Sequence, residues 1–135
     1  MTALKPEYME MLKRVLEERF VKSKFLPNLQ DNTKRPEDLH KKNLSRAFSA
    51  FVLQKLCDLS IKEAARSVVD DFNDKGIDAI YYHESAETLY LLQTKLKVSE
   101  EFKQDEAQAF CEGVRLLINQ EFDKFNNFIK NRKLI

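Results

Sequence analysis

Apolar residues recur at helical spacing near the N-terminus: Leu4, Tyr8, Met11, Leu12, Val15, Leu16 and Phe20. That period predicts an amphipathic first helix. The stretch LPNLQDNTKRPED, with Pro27 and Pro36 bracketing Asn and Asp, reads as a loop. Leu44, Phe48, Phe51, Val52 and Leu56 mark a second helix. A third starts in DLSIKEAARSVV, where Ser60 followed by Glu63 forms a capping-box pattern and Ile61, Ala64, Ala65 and Val68 supply the apolar face. The pattern then changes: GIDAIYY and TLYLLQTKL are rich in Ile, Tyr and Leu, and HESAE between them has no helical period, so a β-hairpin is expected. Ser99 is placed to cap a last helical region holding Phe102, Phe110, Val114, Leu117 and Ile118, and a further helix carries Phe122, Phe125 and Ile129. Helices, a hairpin, then helices predict an α+β domain. The expected division is an N-terminal helix and loop over 1–36 and an α/β core over 37–135.

A hairpin centred between Ser85 and Ala86 sets Asp78 opposite Gln93 and Gly76 opposite Lys95. Strand side chains alternate, so Asp78, Gln93 and Lys95 share a face. Gly76 is expected to leave room there for a ligand. Asp70, Asp71, Asp74 and Asp78 crowd the approach to the first strand. A carboxylate beside an amide and an ammonium suits a hard cation, because Mg²⁺ takes one or two carboxylates plus carbonyl or water oxygens. The lysine would then hold a phosphate or an attacking water. The same residues also fit a plainer arrangement: an exposed Asp78–Lys95 ion pair worth under ~1 kcal/mol, with Gln93 closing an edge strand.

Composition narrows the picture. The chain has 135 residues, 43% hydrophobic and 33% charged, the profile of a single folded domain. Its apolar runs fall far short of the ~20 residues a membrane helix needs. The N-terminus MTALKPEYMEMLKR has no apolar signal core, so a cytoplasmic location is expected and no membrane partner. The formal net charge of +1 gives no global case for nucleic-acid binding. Local clusters exist: Lys34, Arg35, Lys41, Lys42 and Arg46 in one, with Lys95, Lys97, Lys130, Arg132 and Lys133 able to form others. They read equally as solvated faces or as phosphate-binding surfaces. Cys57 and Cys111 lie in apolar contexts and are expected to be buried thiols, and the sequence lacks zinc-ligand spacing.

The run DDFNDKGIDAIYY, a short turn, and LYLLQTKLK together resemble the N-terminal nuclease domain of the abortive-infection phage-resistance (AIPR) family. More distantly they resemble Mrr-like restriction endonucleases and the PD-(D/E)xK superfamily. The resemblance covers Asp71 to Lys97, about a fifth of the chain. It implies a restriction-endonuclease-like core and a metal-dependent nuclease that hydrolyses phosphodiester bonds in bacterial anti-phage defence. By that pattern Asp78 is a metal ligand, Gln93 holds the acidic position, the Thr94 carbonyl is a further ligand, and Lys95 orients the water and offsets phosphate charge. Glu63 is the candidate for an extra metal ligand, in competition with its capping role beside Ser60. The implied cofactor is Mg²⁺ or Mn²⁺, and the implied partner is nucleic acid, DNA before RNA.

The chain departs from the family at Ile77, where proline is usual, at Phe72, where glycine is usual, and at Gln93, which removes one negative charge. No strand pattern is found from Phe102 to Ile135. The core is therefore expected to lack its last strand and the chain to be an N-terminal portion, with Phe122, Phe125, Phe128 and Ile129 covered by a second copy or by a C-terminal continuation. The rival expectation is a non-catalytic module: a helical scaffold that dimerises, or a nucleic-acid-binding domain.

Overall fold

The computed structural model describes residues 5–28, 35–70, 76–97, 103–119, 121 and 124. Helix α1 spans Pro6–Leu16 and opens on a proline, whose fixed φ and missing N–H suit the first helical position. A π-helical turn, Glu17–Val21, follows and places Phe20 in the core. The apolar set of this helix splits into two stripes. Met9, Leu16 and Phe20 are buried, whereas Tyr8, Met11 and Val15, spaced three and four residues apart on another face, are exposed. More of the helix surface is apolar than the core can cover.

Helix α2 runs Pro36–Cys57 and ends at Asp58, which has a left-handed backbone (φ 54°). Pro36, expected in a loop, opens the helix, and the polar turns that follow it extend α2 well before its first buried residue, Leu44. Arg46 does not belong to a basic surface as its sequence cluster suggested. It is 2% exposed, and its guanidinium donates to Asn43 Oδ1 at 3.0 Å and to the Pro27 carbonyl. The buried cation thus fastens the segment after α1 to α2, since a buried charge must be hydrogen-bonded.

Helix α3, Ile61–Arg66, starts at Ser60, whose Oγ accepts the Glu63 N–H at 3.1 Å. The expected Ser60 cap is present, with the Glu63 N–H bonded to the Ser60 hydroxyl. Beyond α3, Ser67–Asp70 lies antiparallel to strand β1 (Ala79–His83): Val68 bridges Ala79, Ile80 N–H donates to Ser67 O, and Val69 N–H donates to Asp78 O. On its other side β1 pairs with β2 (Thr88–Leu92), from Ala79 with Leu92 to His83 with Thr88, which is the register expected from the turn. At the turn, His83 Nδ1 accepts the Ala86 N–H at 3.2 Å.

Two apolar clusters sandwich this small sheet. One joins Leu16, Phe20, Leu44, Ala47, Ala50, Ala64, Ala65 and Val68. The other joins Val69, Ile77 and Ile80 to Leu116 and Leu117 of α4, Gln104–Ile118. Neighbouring Val68 and Val69 enter opposite clusters, as alternation along an extended segment requires. The described residues therefore form a mixed α+β structure with four α-helices and a two-stranded antiparallel sheet.

Several expectations need correction. The runs Tyr81–Tyr82 and Leu89–Leu92, apolar on both faces, imply helices on both sides of the hairpin, but Ala79 and Ile80 are buried whereas Tyr82 and Leu89 at the tip are exposed. Helix α4 starts after Lys103, and the Glu106 carboxylate accepts the Lys103 backbone N–H at 3.2 Å. Ile118, expected inside, is 74% exposed. Cys111 is exposed and Cys57 is half-buried. Ser99, Phe102, Phe122, Phe125, Phe128 and Ile129 lie outside the described residues, as do Lys34, Asp71, Phe72, Asp74, Lys130, Arg132 and Lys133. Among the described residues no helix is long and apolar enough to cross a membrane.

Candidate functional site

The hairpin register carries past the last ladder pair. Asp78 N–H donates to the Leu92 carbonyl at 2.8 Å. The next inward N–H, that of Thr94, goes to the Asp78 carboxylate instead of a backbone carbonyl: Thr94 N to Asp78 Oδ2 is 2.8 Å. The side chain thus ends the ladder, and residues 93–96 continue outside the strand. A cleft of about 320 Å³ opens there, lined by Asp70, Asp78, Gln93, Thr94, Lys95 and Lys97 from the sheet side and by Lys42 and Ser45 from α2. Asp78, Gln93, Thr94 and Lys95, singled out in the sequence, all line it.

Each of these residues is held by a different element. Ser49, one turn past Ser45 and buried, shares a 2.7 Å hydroxyl hydrogen bond with Thr94 Oγ1, tying α2 to the segment that bears Gln93 and Lys95. Gln93 Nε2 donates to the Glu106 carbonyl at 2.9 Å. With its nitrogen committed there, the amide keeps its oxygen as an acceptor. Lys95 Nζ lies 3.6 Å from Glu106 Oε1. The first turn of α4 therefore contacts both members of the QxK pair through Glu106, a partner that the sequence does not reveal.

Gly76 also lines the cleft, but its missing Cβ serves α4 as well. Its φ is +79°, and a Cβ built there would lie 2.8 Å from the Phe110 backbone nitrogen. The residue is a close-approach point for the helix as much as space for a ligand.

Asp78 is half-buried. Desolvation in the cleft, followed by repulsion from Asp70, pushes its carboxyl up to about 7; the Thr94 N–H, Lys95 and Lys42 act in the opposite direction. Asp70 enters because its backbone N–H donates to the Asp78 carbonyl at 3.2 Å, close enough for its charge to act on the Asp78 carboxyl. It was visible as the first of the four crowded aspartates but had no sequence mark separating it from Asp71. Lys42 and Ser45 had no such signal, because only the docking of α2 brings them here. Glu63 meets Ser60 at the start of α3, where the Ser60 hydroxyl donates to Glu63 Oε1 at 3.2 Å, and it is exposed and not in the cleft lining.

The donor set fits one kind of ion. Two carboxylates, an amide oxygen and a backbone carbonyl are hard oxygen donors of the sort Mg²⁺ or Mn²⁺ uses while keeping several waters. Among the described residues no group of three or more His, Cys, Asp or Glu is placed to hold a metal. No protein-family model, no curated protein and no solved structure matches this chain.

Proposed function

We propose that this chain carries the site of a divalent-metal-dependent nuclease with a restriction-endonuclease-like core, acting on phosphodiester bonds in the cytoplasm as part of anti-phage defence. The carrying observation is the cleft itself: a carboxylate with a raised pKa, a second carboxylate, and Gln93, Thr94 and Lys95 converge at the open end of one hairpin. Asp78 and Asp70 would hold Mg²⁺ or Mn²⁺, with the Gln93 side-chain oxygen and the Thr94 carbonyl as neutral ligands. When bound, the metal supplies Lewis-acid stabilisation of charge on the reacting phosphate and acidifies a water. Lys95 would orient the attacking water and offset charge on a non-bridging phosphate oxygen. Thr94 N–H keeps the Asp78 carboxylate aimed into the cleft. Glu106 limits the swing of Lys95 and, through its carbonyl, that of Gln93.

The assay is cleavage of labelled duplex DNA, single-stranded DNA and RNA in Mg²⁺, Mn²⁺ or EDTA. Strand scission that EDTA abolishes is expected. Retention of nucleic acid with no scission in either metal would replace the hydrolytic reading with that of a binding module.

Metal affinity carries its own signature. A ligand must shed its proton before it binds a cation. With Asp78 at about 7, Mn²⁺ affinity should rise about tenfold per pH unit up to pH 7 and level off above it. Calorimetry without nucleic acid should show no tight site. The Gln93→Glu variant should bind Mn²⁺ more tightly but melt at a lower temperature, because the new carboxylate would face the Glu106 carbonyl that the Gln93 amide now satisfies. Affinity that is flat from pH 5.5 to 8 would remove Asp78 from the metal site.

A further inference from the structure

Helix α1 carries two apolar stripes, and the core takes one. Met9 and Leu16 are buried in it. Tyr8, Met11 and Val15, at intervals of three and four residues, form the second stripe and are 51%, 58% and 36% exposed. Lys5 lies over the Tyr8 ring, 6.0 Å from its centroid, and the ring is still half exposed. A helix on the surface of a domain turns polar residues outward. Three contiguous apolar side chains on the outer face of α1 mark a contact surface instead.

The charges beside the stripe decide what fits it. Glu7 and Arg14 are close to two helical turns apart, so they lie along one flank of the stripe, Glu7 next to Tyr8 and Arg14 next to Val15. Both are exposed, and among the described residues neither side chain has a hydrogen bond or an ion pair. Other charges of this segment are paired: Lys13 with Glu10 at 4.0 Å and Glu17 with His40 at 3.7 Å. Glu7 precedes Met11 by about one turn and Arg14 follows it by about one turn. Read from its other end, the stripe therefore looks the same with its flanking charges exchanged. A second α1 turned end for end sets Tyr8 against Val15, Met11 against Met11, and each Glu7 beside the other copy's Arg14. The two-fold axis makes the Tyr8–Val15 and Glu7–Arg14 contacts twice. A parallel pair would set Glu7 on Glu7 and Arg14 on Arg14, which like charges oppose.

We propose that the Tyr8–Met11–Val15 face of α1 is a self-association surface, on which a second copy of this chain docks its own α1 antiparallel across a two-fold axis at Met11. The surface lies outside the cleft, whose lining includes no residue of α1, and is independent of what the cleft does. Three apolar side chains per copy make a small interface, in the class below about 1,200 Å² that gives weak and transient complexes. The dimer therefore forms and parts with concentration.

Analytical ultracentrifugation of the whole chain from about 10 µM to 1 mM tests this, with a melting temperature for each variant. Wild type should pass from monomer towards dimer within that range. Met11→Asp sets two carboxylates face to face at the axis and should leave only monomer, with the melting temperature unchanged. Glu7→Arg alone and Arg14→Glu alone should each weaken the dimer roughly three- to tenfold. An equimolar mixture of these two variants should dimerise at least as tightly as wild type, because every charge pair across the axis is then of opposite sign. The double variant Glu7→Arg/Arg14→Glu should match wild type, as only an antiparallel pair allows. A wild type that stays monomeric throughout overturns the surface, whether another segment of the chain or a different protein covers the stripe. So does a dimer that survives Met11→Asp, or a drop in the melting temperature of that variant, which would mean that Met11 is covered within its own chain. Charge variants that leave the dimer unchanged, or whose loss neither the mixture nor the double variant recovers, overturn the antiparallel pairing.

Discussion

The Asp78→Asn variant should be inactive yet more stable than the wild type at pH 8. The activity loss follows from removing the charged ligand of the proposed metal and should be roughly 10²–10³-fold or more. The stability gain follows from linkage. The Asp78 carboxyl is pushed up to about 7 by burial and by Asp70, against an unfolded value of about 3.9. Native protein therefore holds a proton that the unfolded chain has released between those two values, and stability falls as pH rises through that window. Below about pH 4 both states are protonated and the penalty is absent; above about pH 7 it is complete. A shift of this size corresponds to about 4 kcal/mol at most, and solvent relaxation around a half-buried group brings the expected gain down to about 1–3 kcal/mol. Asparagine keeps an oxygen for the Thr94 N–H, so that hydrogen bond survives the change. Urea unfolding of both proteins at pH 4, 6 and 8 checks this: the curves should separate progressively with pH. A variant that is less stable at pH 8 would mean that Asp78 is structural.

Gly76→Ala should be the most damaging small substitution near the cleft. The left-handed backbone at φ +79° costs a residue with a Cβ about 1–2 kcal/mol. The new Cβ would also meet the Phe110 nitrogen at 2.8 Å and the Phe110 Cα at 3.0 Å. These are backbone atoms of α4, so the helix itself must move, at a further cost of about 1–3 kcal/mol. Because α4 carries Glu106, its displacement should also release Gln93 and Lys95. A melting curve and a metal-dependent cleavage assay should both fall. Wild-type stability would show that the Gly76 turn adapts freely and that α4 does not depend on it.

How much of this was readable in the sequence varies with the distance over which the cause acts. The hairpin register was readable because HESAE has turn character and the flanking runs have none, so turn geometry fixes every pair from Ala79–Leu92 to His83–Thr88. The Ser60–Glu63 cap was readable because both partners lie within one helical turn. From the register alone, Asp78, Gln93 and Lys95 could be placed at one end of the hairpin. What could not be read depends on how helices dock. Nothing local shows that α2 would bring Lys42 and Ser45 to the cleft, or that the first turn of α4 would hold Gln93 and Lys95 through Glu106. The same limit explains Arg46 and Gly76. Along the chain Arg46 is one of a run of surface charges, and only the fold brings its guanidinium to the Pro27 carbonyl. Gly76 reads as open space, and only the docking of α4 fills it. Tyr8, Met11 and Val15 show the limit from the other side: periodicity identifies an apolar stripe but not which of two stripes the core will take.

Lys95 separates the proposed chemistry from every structural reading of the cleft. Its side chain is well exposed and its ion pair with Glu106, at 3.6 Å, is of the kind worth under ~1 kcal/mol. Removing it should therefore cost little stability. The decisive measurement is single-turnover cleavage of duplex DNA in saturating Mn²⁺ by wild type and Lys95→Ala, with melting temperature and duplex affinity taken on the same samples. The account predicts a rate lower by roughly 10²–10³-fold, with the fold intact and affinity within a few-fold of wild type. Equal cleavage rates in the two proteins would contradict it.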